Sequence, residues 1–194
     1  MNLIAESISI ISNPLVVSLP ASFSLVFKTS NNIYYSLLWT LISAFFVGIV
    51  GAFVIYGIKI GMFSDFDISK RTQRQPFFVF AAVVTVAYLF LVLLLNGPKV
   101  LFVSLGALFL GIMLDSFITR KIKASVHLAV YSAFAMIMAI FYGGIFWLCL
   151  LFIPVVAWSR IKLKRHVLQE TVIGTILGIS LVMLLYLVLK YIYA

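Results

Sequence analysis

Long apolar runs recur along almost the whole chain, and no other feature limits its fold as strongly. Seven can be read, at about 14–27, 33–60, 76–96, 98–119, 125–142, 144–158 and 166–193. Several approach or exceed the roughly 20 residues that a helix needs to cross a hydrocarbon core. Inside lipid only helices and closed barrels satisfy their backbone groups. The runs are continuous rather than alternating, so helices are expected. Composition excludes a soluble domain: 64% of the 194 residues are hydrophobic and 10% are charged, against roughly a quarter charged in ordinary domains. The expectation is one all-α domain over residues 1–194, a polytopic transmembrane helical bundle with six or seven membrane segments.

The first segment is short, carries Pro14 and Pro20, and is read as spanning with a kink or only dipping in. Gly48, Gly51 and Gly57 in the second predict close helix approach. Asn96-Gly97-Pro98 and Gly143-Gly144 predict tight turns. Tyr191 and Tyr193 suit a membrane interface. Cys149 lies in an apolar run and reads as a packing residue. The opening MNLIAES has no basic stretch and holds Glu6, so no cleavable signal peptide is expected.

Charge is distributed unevenly. The chain carries +9, with five acids and fourteen Lys and Arg. Eleven of those fourteen lie in three connections: Lys59, Lys70, Arg71 and Arg74; Arg120, Lys121 and Lys123; Arg160, Lys162, Lys164 and Arg165. Two crossings return a chain to the same side, so the three loops are expected to share one membrane face. Only Lys28, Lys99 and Lys190 fall opposite. The bland explanation is that basic loops stay on the cytoplasmic side. In this setting the excess charge points to anionic headgroups or an anionic substrate rather than to nucleic acid.

Three details go beyond that explanation. Both histidines, His127 and His166, sit at the loop side of a segment, and Ser125 and Ser159 precede them. Glu170 follows His166 by four residues, on the same helical face one turn deeper. As a bare helix pair this is worth only a few tenths of a kcal/mol. However, a carboxylate behind an imidazole also fixes its tautomer, and an ionisable group entering an apolar segment is functional by default. His127 and Ser125 lie at a helix start, where free N–H groups and the dipole suit an anion; plain N-capping by Ser125 is the simpler alternative. Lys70, Arg71 and Arg74 could surround a phosphate. Asp65 and Asp67 either bind a metal or neutralise those arginines. Asp115, about one turn before Arg120, is expected to pair with a loop arginine.

Together these residues resemble the motifs of the type 2 phosphatidic acid phosphatase superfamily. Ser159-Arg160, five residues, His166, three residues and Glu170 resemble its third motif, in which an Asp takes the last place. GTILG at 174–178 is similar to the small-residue continuation. ASVH at 124–127 resembles the second motif, Pro-Ser-Gly-His, with Val126 in place of glycine. KRTQRQP at 70–76 resembles the first, normally Lys, six residues, Arg-Pro, with Gln75 interposed. The lysine expected seven residues before Arg74 would fall on Asp67, so Lys70 or Arg71 is expected to substitute.

The resemblance covers roughly residues 60–180 and implies a six-helix core that carries the three motifs. It implies metal-independent, cofactor-free hydrolysis of a lipid phosphate monoester or pyrophosphate. His166 would be the nucleophile forming a phosphohistidine, Glu170 its orienting group and His127 the acid for the leaving alkoxide. Arg160, Ser125 and Arg74 would bind phosphate, with Arg71 and Lys70 in support. A two-histidine mechanism predicts activity peaking near neutral to mildly acidic pH. Two other functions stay open. A Mg²⁺-dependent prenyl or phosphatidyl transferase needs clustered acids, of which Asp65 and Asp67 are one close pair. A non-enzymatic small membrane protein is the third. A multi-pass protein of the cell membrane is expected.

Overall fold

The computed structural model describes residues 2–193. Eight α-helices follow one another: α1 Leu3–Ile11, α2 Pro14–Ser30, α3 Ile33–Lys59, α4 Arg74–Leu94, α5 Lys99–Thr119, α6 Val126–Tyr142, α7 Ile153–Lys162 and α8 Leu168–Tyr193. Short 3-10 helices precede α4 (Arg71–Gln73) and α7 (Gly144–Phe152). No strand occurs among the described residues. Five stretches are long and apolar enough to cross a membrane: α3, α4 with its 3-10 turn, α5, Gly144–Lys162 and α8. α1 and α2, bent by 43°, pass as a sixth when taken together, and α6 is a shorter apolar helix. The outward faces are hydrocarbon, with Leu41 at 69% and Phe117 at 67% exposure. The chain is a multi-pass membrane protein built as an all-α bundle.

Local chemistry sets the element boundaries. Asn13 caps α2 by accepting from Leu15 N at 3.0 Å, with Pro14 in the first turn, where its missing N–H costs nothing. Asn32 caps α3 through Tyr35 N at 3.0 Å. Asn96 adopts φ 48° in the turn between α4 and α5, and Gly143 and Gly144 have φ 67° and 53° after α6. Both predicted turns therefore exist. α1 was not expected as a helix. Asn2 caps it, and it packs on α7.

Two apolar clusters hold the bundle, and α2 contributes to both. Leu25 packs with Val100, Ile137, Val182, Leu185 and Leu189. Val26 packs with Trp39, Tyr88, Val92, Leu101 and Leu105. The short first segment is thus a central element. Close helix approach is found, but not where it was expected. Gly48 faces open space, Gly51 meets Leu15 at an ordinary 3.4 Å, and Gly57 is covered by the Phe63 ring of the following loop. The tight contact is between α8 and α6. A Cβ at Gly174 would collide with the Ser125 carbonyl, and one at Gly178 with the Ala129 carbonyl and Ser132 Oγ. Two glycines four residues apart let the backbones touch.

The ends of the bundle are distinct. Asn13 at the start of α2, Arg74 at the start of α4 and His127 at the start of α6 line one small space. Tyr142 at the other end of α6 donates to the Ser24 carbonyl at 2.8 Å. The loops 60–73, 120–125 and 163–167 therefore gather at one end, hereafter the basic end.

Candidate functional site at the basic end

Backbone carbonyls stitch the three loops together. Arg74, 4% exposed, donates from Nε to the Ile68 carbonyl (3.1 Å) and from Nη1 to the Ala124 carbonyl (2.8 Å). Lys123 Nζ donates to the carbonyls of Ser69 (3.2 Å) and Arg165 (2.6 Å). Ser125 N donates to the Glu170 carbonyl at 3.1 Å, next to the Gly174 contact. The segment after α7 folds back so that Arg165 N and His166 N both reach the Arg160 carbonyl. α1 joins from outside residues 60–180: Ala5 O accepts from Ser159 Oγ at 2.6 Å, and Ser9 Oγ pairs with Arg160 Nη1.

His166 lies with Nδ1 2.7 Å from Glu170 Oε2, and its side chain is 2% exposed. Burial first, then the positive charges of Arg74, Lys123 and Arg160, drive its pKa down to about 2. The ring is therefore neutral, and the adjacent carboxylate places its proton on Nδ1. Nε2 keeps its lone pair. Glu170 Oε2 also accepts from Val167 N at 3.3 Å, the reach-back of a capping box at the start of α8. One carboxylate thus both caps the helix and orients the imidazole. Lys123 is also shifted down, by burial and by Arg74 and Arg160. Burial alone would raise Asp65, but hydrogen bonds from Ser64 and Ser69 and the Arg165 guanidinium outweigh it and hold the carboxyl below its ordinary range.

Three buried polar atoms at this end have no hydrogen-bond partner: Ser125 Oγ, His127 Nε2 and Arg160 Nε. Their residues are 0%, 7% and 1% exposed. Ser125 is the N-cap residue of α6, but its side chain makes no capping bond. The simpler N-cap alternative therefore does not hold. Groups this buried are ordinarily satisfied, so three orphans together mark a place for a polar ligand. All three are able to donate to an anion. At the same end lies a hollow of about 700 Å³, whose lining includes Glu6, Asp65, Asp67, Lys123, Lys164 and Arg165, and Asp67 also borders the smaller space lined by His127 and Arg74.

The structure brings together His166, Glu170, His127, Ser125, Arg160 and Arg74 at this end. Arg71 and Lys70 are placed differently. Lys70 is exposed, and Arg71, also exposed, spends Nη1 on the Lys121 carbonyl at 2.7 Å. Both side chains stay at the surface of the 3-10 turn and its approach, outside the cluster. The half-buried ammonium in the cluster is Lys123 instead, because its loop runs beneath Ser69 and Arg165. Arg74 is engaged with two carbonyls and acts through its charge. Asp115 is buried and takes a hydrogen bond from Thr119 at 3.4 Å. The charge acting on it is that of Arg74, one of the basic-loop arginines, and Arg120 turns over the Phe117 ring, so the expected partner is Arg74 at longer range and not the neighbouring Arg120.

Four participants were not assigned to the site from sequence, although Asp67, expected to bind a metal or neutralise the arginines beside it, does neutralise arginines, those of a different loop. Asp67 sits at the centre, with Arg160 Nη2 at 3.1 Å and Arg165 Nε at 3.5 Å. Its position, where the resemblance calls for lysine, was a signal. Arg165, beside His166, lay within the basic cluster. Lys123 stood two residues from Ser125. Nothing pointed to Ser9. No family model, curated protein or solved structure matches the chain.

Proposed function

We propose that the chain is a phosphatase of the type 2 phosphatidic acid phosphatase kind. It would hydrolyse a lipid phosphate monoester or pyrophosphate at the basic end, in the cell membrane. The observation that carries this reading is the convergence of a neutral, carboxylate-backed His166 with buried, unpartnered donors from Ser125, His127 and Arg160. A phosphoryl group in transfer spreads negative charge over its equatorial oxygens, and fixed positive donors are the main catalytic need. Arg160 Nε and Ser125 Oγ bind those oxygens, and Arg74 and Lys123 add charge.

In the first step His166 Nε2 attacks phosphorus, an N–P bond forms and the bond to the lipid oxygen breaks. His127 Nε2 delivers the proton to the departing alkoxide. In the second step water attacks the phosphohistidine, gives a proton to His127 and returns His166 Nε2 with its electron pair. Glu170 stabilises the ring as it becomes positive. Because burial holds His166 neutral far below pH 7, the acid limb expected near neutrality from this residue shifts to much lower pH.

Two features favour hydrolysis over metal-dependent transfer. The Asp65 and Asp67 carboxylates are turned toward Arg165 and Arg160, and nucleophile geometry is present at His166. The test is phosphate release from a panel of lipid phosphates in detergent with excess EDTA. Release by wild type and none by His166→Ala is expected. Activity that depends on Mg²⁺ and survives His166→Ala would reject the proposal.

A further inference from the structure

The anion already at the bottom of the site belongs to the protein. Asp67 Oδ2 lies 3.1 Å from Arg160 Nη2 and 3.5 Å from Arg165 Nε, and Oδ1 lies 3.8 Å from His127 Nε2. Two guanidiniums and an imidazole around one carboxylate are also the donors that a phosphate would use. A phosphate dianion placed beside that carboxylate would meet strong like-charge repulsion. The two anions therefore compete for the same donors.

The partners differ in freedom. Arg160 is 1% exposed at its side chain and pinned by Ser9, whereas the Asp67 side chain is 19% exposed and borders the open hollow. The carboxylate is the member with room to leave. Its neighbour Ile68 is buried with Val54 and Phe63, yet holds φ 47°. A β-branched residue is a genuine outlier in that region, and such strain recurs at sites that switch between arrangements. The Ile68 backbone itself is held, its N–H on the Asp65 carbonyl (3.0 Å) and its carbonyl under Arg74 Nε (3.1 Å), so the carboxylate leaves by rotation of its own side chain.

We infer that Asp67 is an internal occupant of the phosphate site and sets a threshold that any ligand must exceed. The inference rests on reading the site as a phosphate site. A membrane face is crowded with phosphodiester headgroups, each a single anion, and an open pair of arginines, Arg160 buried and Arg165 at the rim, would collect them. An occupant present in most molecules multiplies the apparent affinity of every competitor by the open fraction. Weakly held diesters then stay out, while a tightly bound monoester still enters.

The test is calorimetric binding to the full-length chain in detergent at mildly alkaline pH. Inorganic phosphate serves as the dianion and dimethyl phosphate as the diester monoanion. Asp67→Asn and Asp67→Ala should each tighten both ligands by the same factor, about tenfold if the carboxylate is in place nine times in ten. Removing the carboxylate leaves the buried Arg160 charge without that partner, so both variants should melt lower than wild type without ligand, and phosphate should raise their melting temperature more than it raises that of wild type. Equal or smaller stabilisation by phosphate in the variants would count against the occupant. Weaker phosphate binding in the variants would make Asp67 part of the ligand set and overturn the inference. So would unchanged affinity, or tightening of phosphate alone. Tightening without any hydrolysis would sustain the occupant and reject the phosphatase. No phosphate binding by any form would reject both.

Discussion

In the half of the bundle far from the basic loops, polar groups close on one another. Ser22 Oγ and Tyr88 Oη each lie 2.7 Å from Ser43 Oγ, which in turn donates to the Trp39 carbonyl at 2.8 Å. One buried side-chain polar atom, Trp39 Nε1, is left without a partner there. At the basic end three are left, on Ser125, His127 and Arg160. The far half has apolar clusters on both sides of α2. The basic end has Arg160, Arg74 and His166 buried among backbone carbonyls and carboxylates. An unmade hydrogen bond in a dry interior costs about 1–3 kcal/mol. The fold leaves one such group open at the far end and concentrates three at the basic end, where the phosphate site is proposed.

Substitutions at the two ends should therefore separate activity from stability. The largest effect is expected for His166→Ala, which should cut lipid-phosphate hydrolysis by at least about 10³-fold with little change in melting temperature. A parallel loss of both would merge the two ends. Gly178→Leu should do the reverse in kind: the side chain has no space against the Ala129 carbonyl. It should lower stability by about 3 kcal/mol, read as a drop in detergent melting temperature. Glu170→Gln preserves the reach-back to Val167 but removes the charge behind His166. A loss of about 10–100-fold in kcat with KM and melting temperature nearly constant is expected.

The pH dependence of stability sharpens the contrast further. Folding lowers the His166 pKa from 6.5 to about 2, so the unfolded chain takes up a proton that the folded chain does not. The stability this residue contributes is complete above about pH 6.5 and is lost progressively as pH falls toward 2. Melting temperature should drop between pH 7 and 5, and His166→Asn should show a smaller drop. The smallest effect is expected for Lys70→Ala. It is exposed and outside the cluster, so activity should change by less than about twofold and stability by less than about 0.5 kcal/mol.

Apolar length and loop charge made the bundle legible from sequence, because lipid imposes both. Six of the seven segments differ from the observed elements mainly at their ends, and the sixth, 144–158, divides into a 3-10 helix and the start of α7. Geometry that depends on contacts between distant residues was less legible. Gly48 and Gly51 have the same local chemistry as Gly174 and Gly178, and only the packing of α8 on α6 distinguishes them. His166 and Glu170 were readable, because four residues on a helix fix the distance. Lys123 and Arg74 were harder, since carbonyl partners about 50 residues away decide where each head group lies. Ser9 was unreadable: nothing in LIAESISII announces that α1 will lie against α7.

The central claim is that His166 carries the phosphoryl group. Purified chain should be mixed with a lipid phosphate radiolabelled in its phosphate, quenched in alkali and digested. The account predicts an alkali-stable, acid-labile label on the peptide bearing His166, absent in His166→Ala and present with EDTA. Label on another residue, or turnover without any protein-bound phosphate, would contradict it.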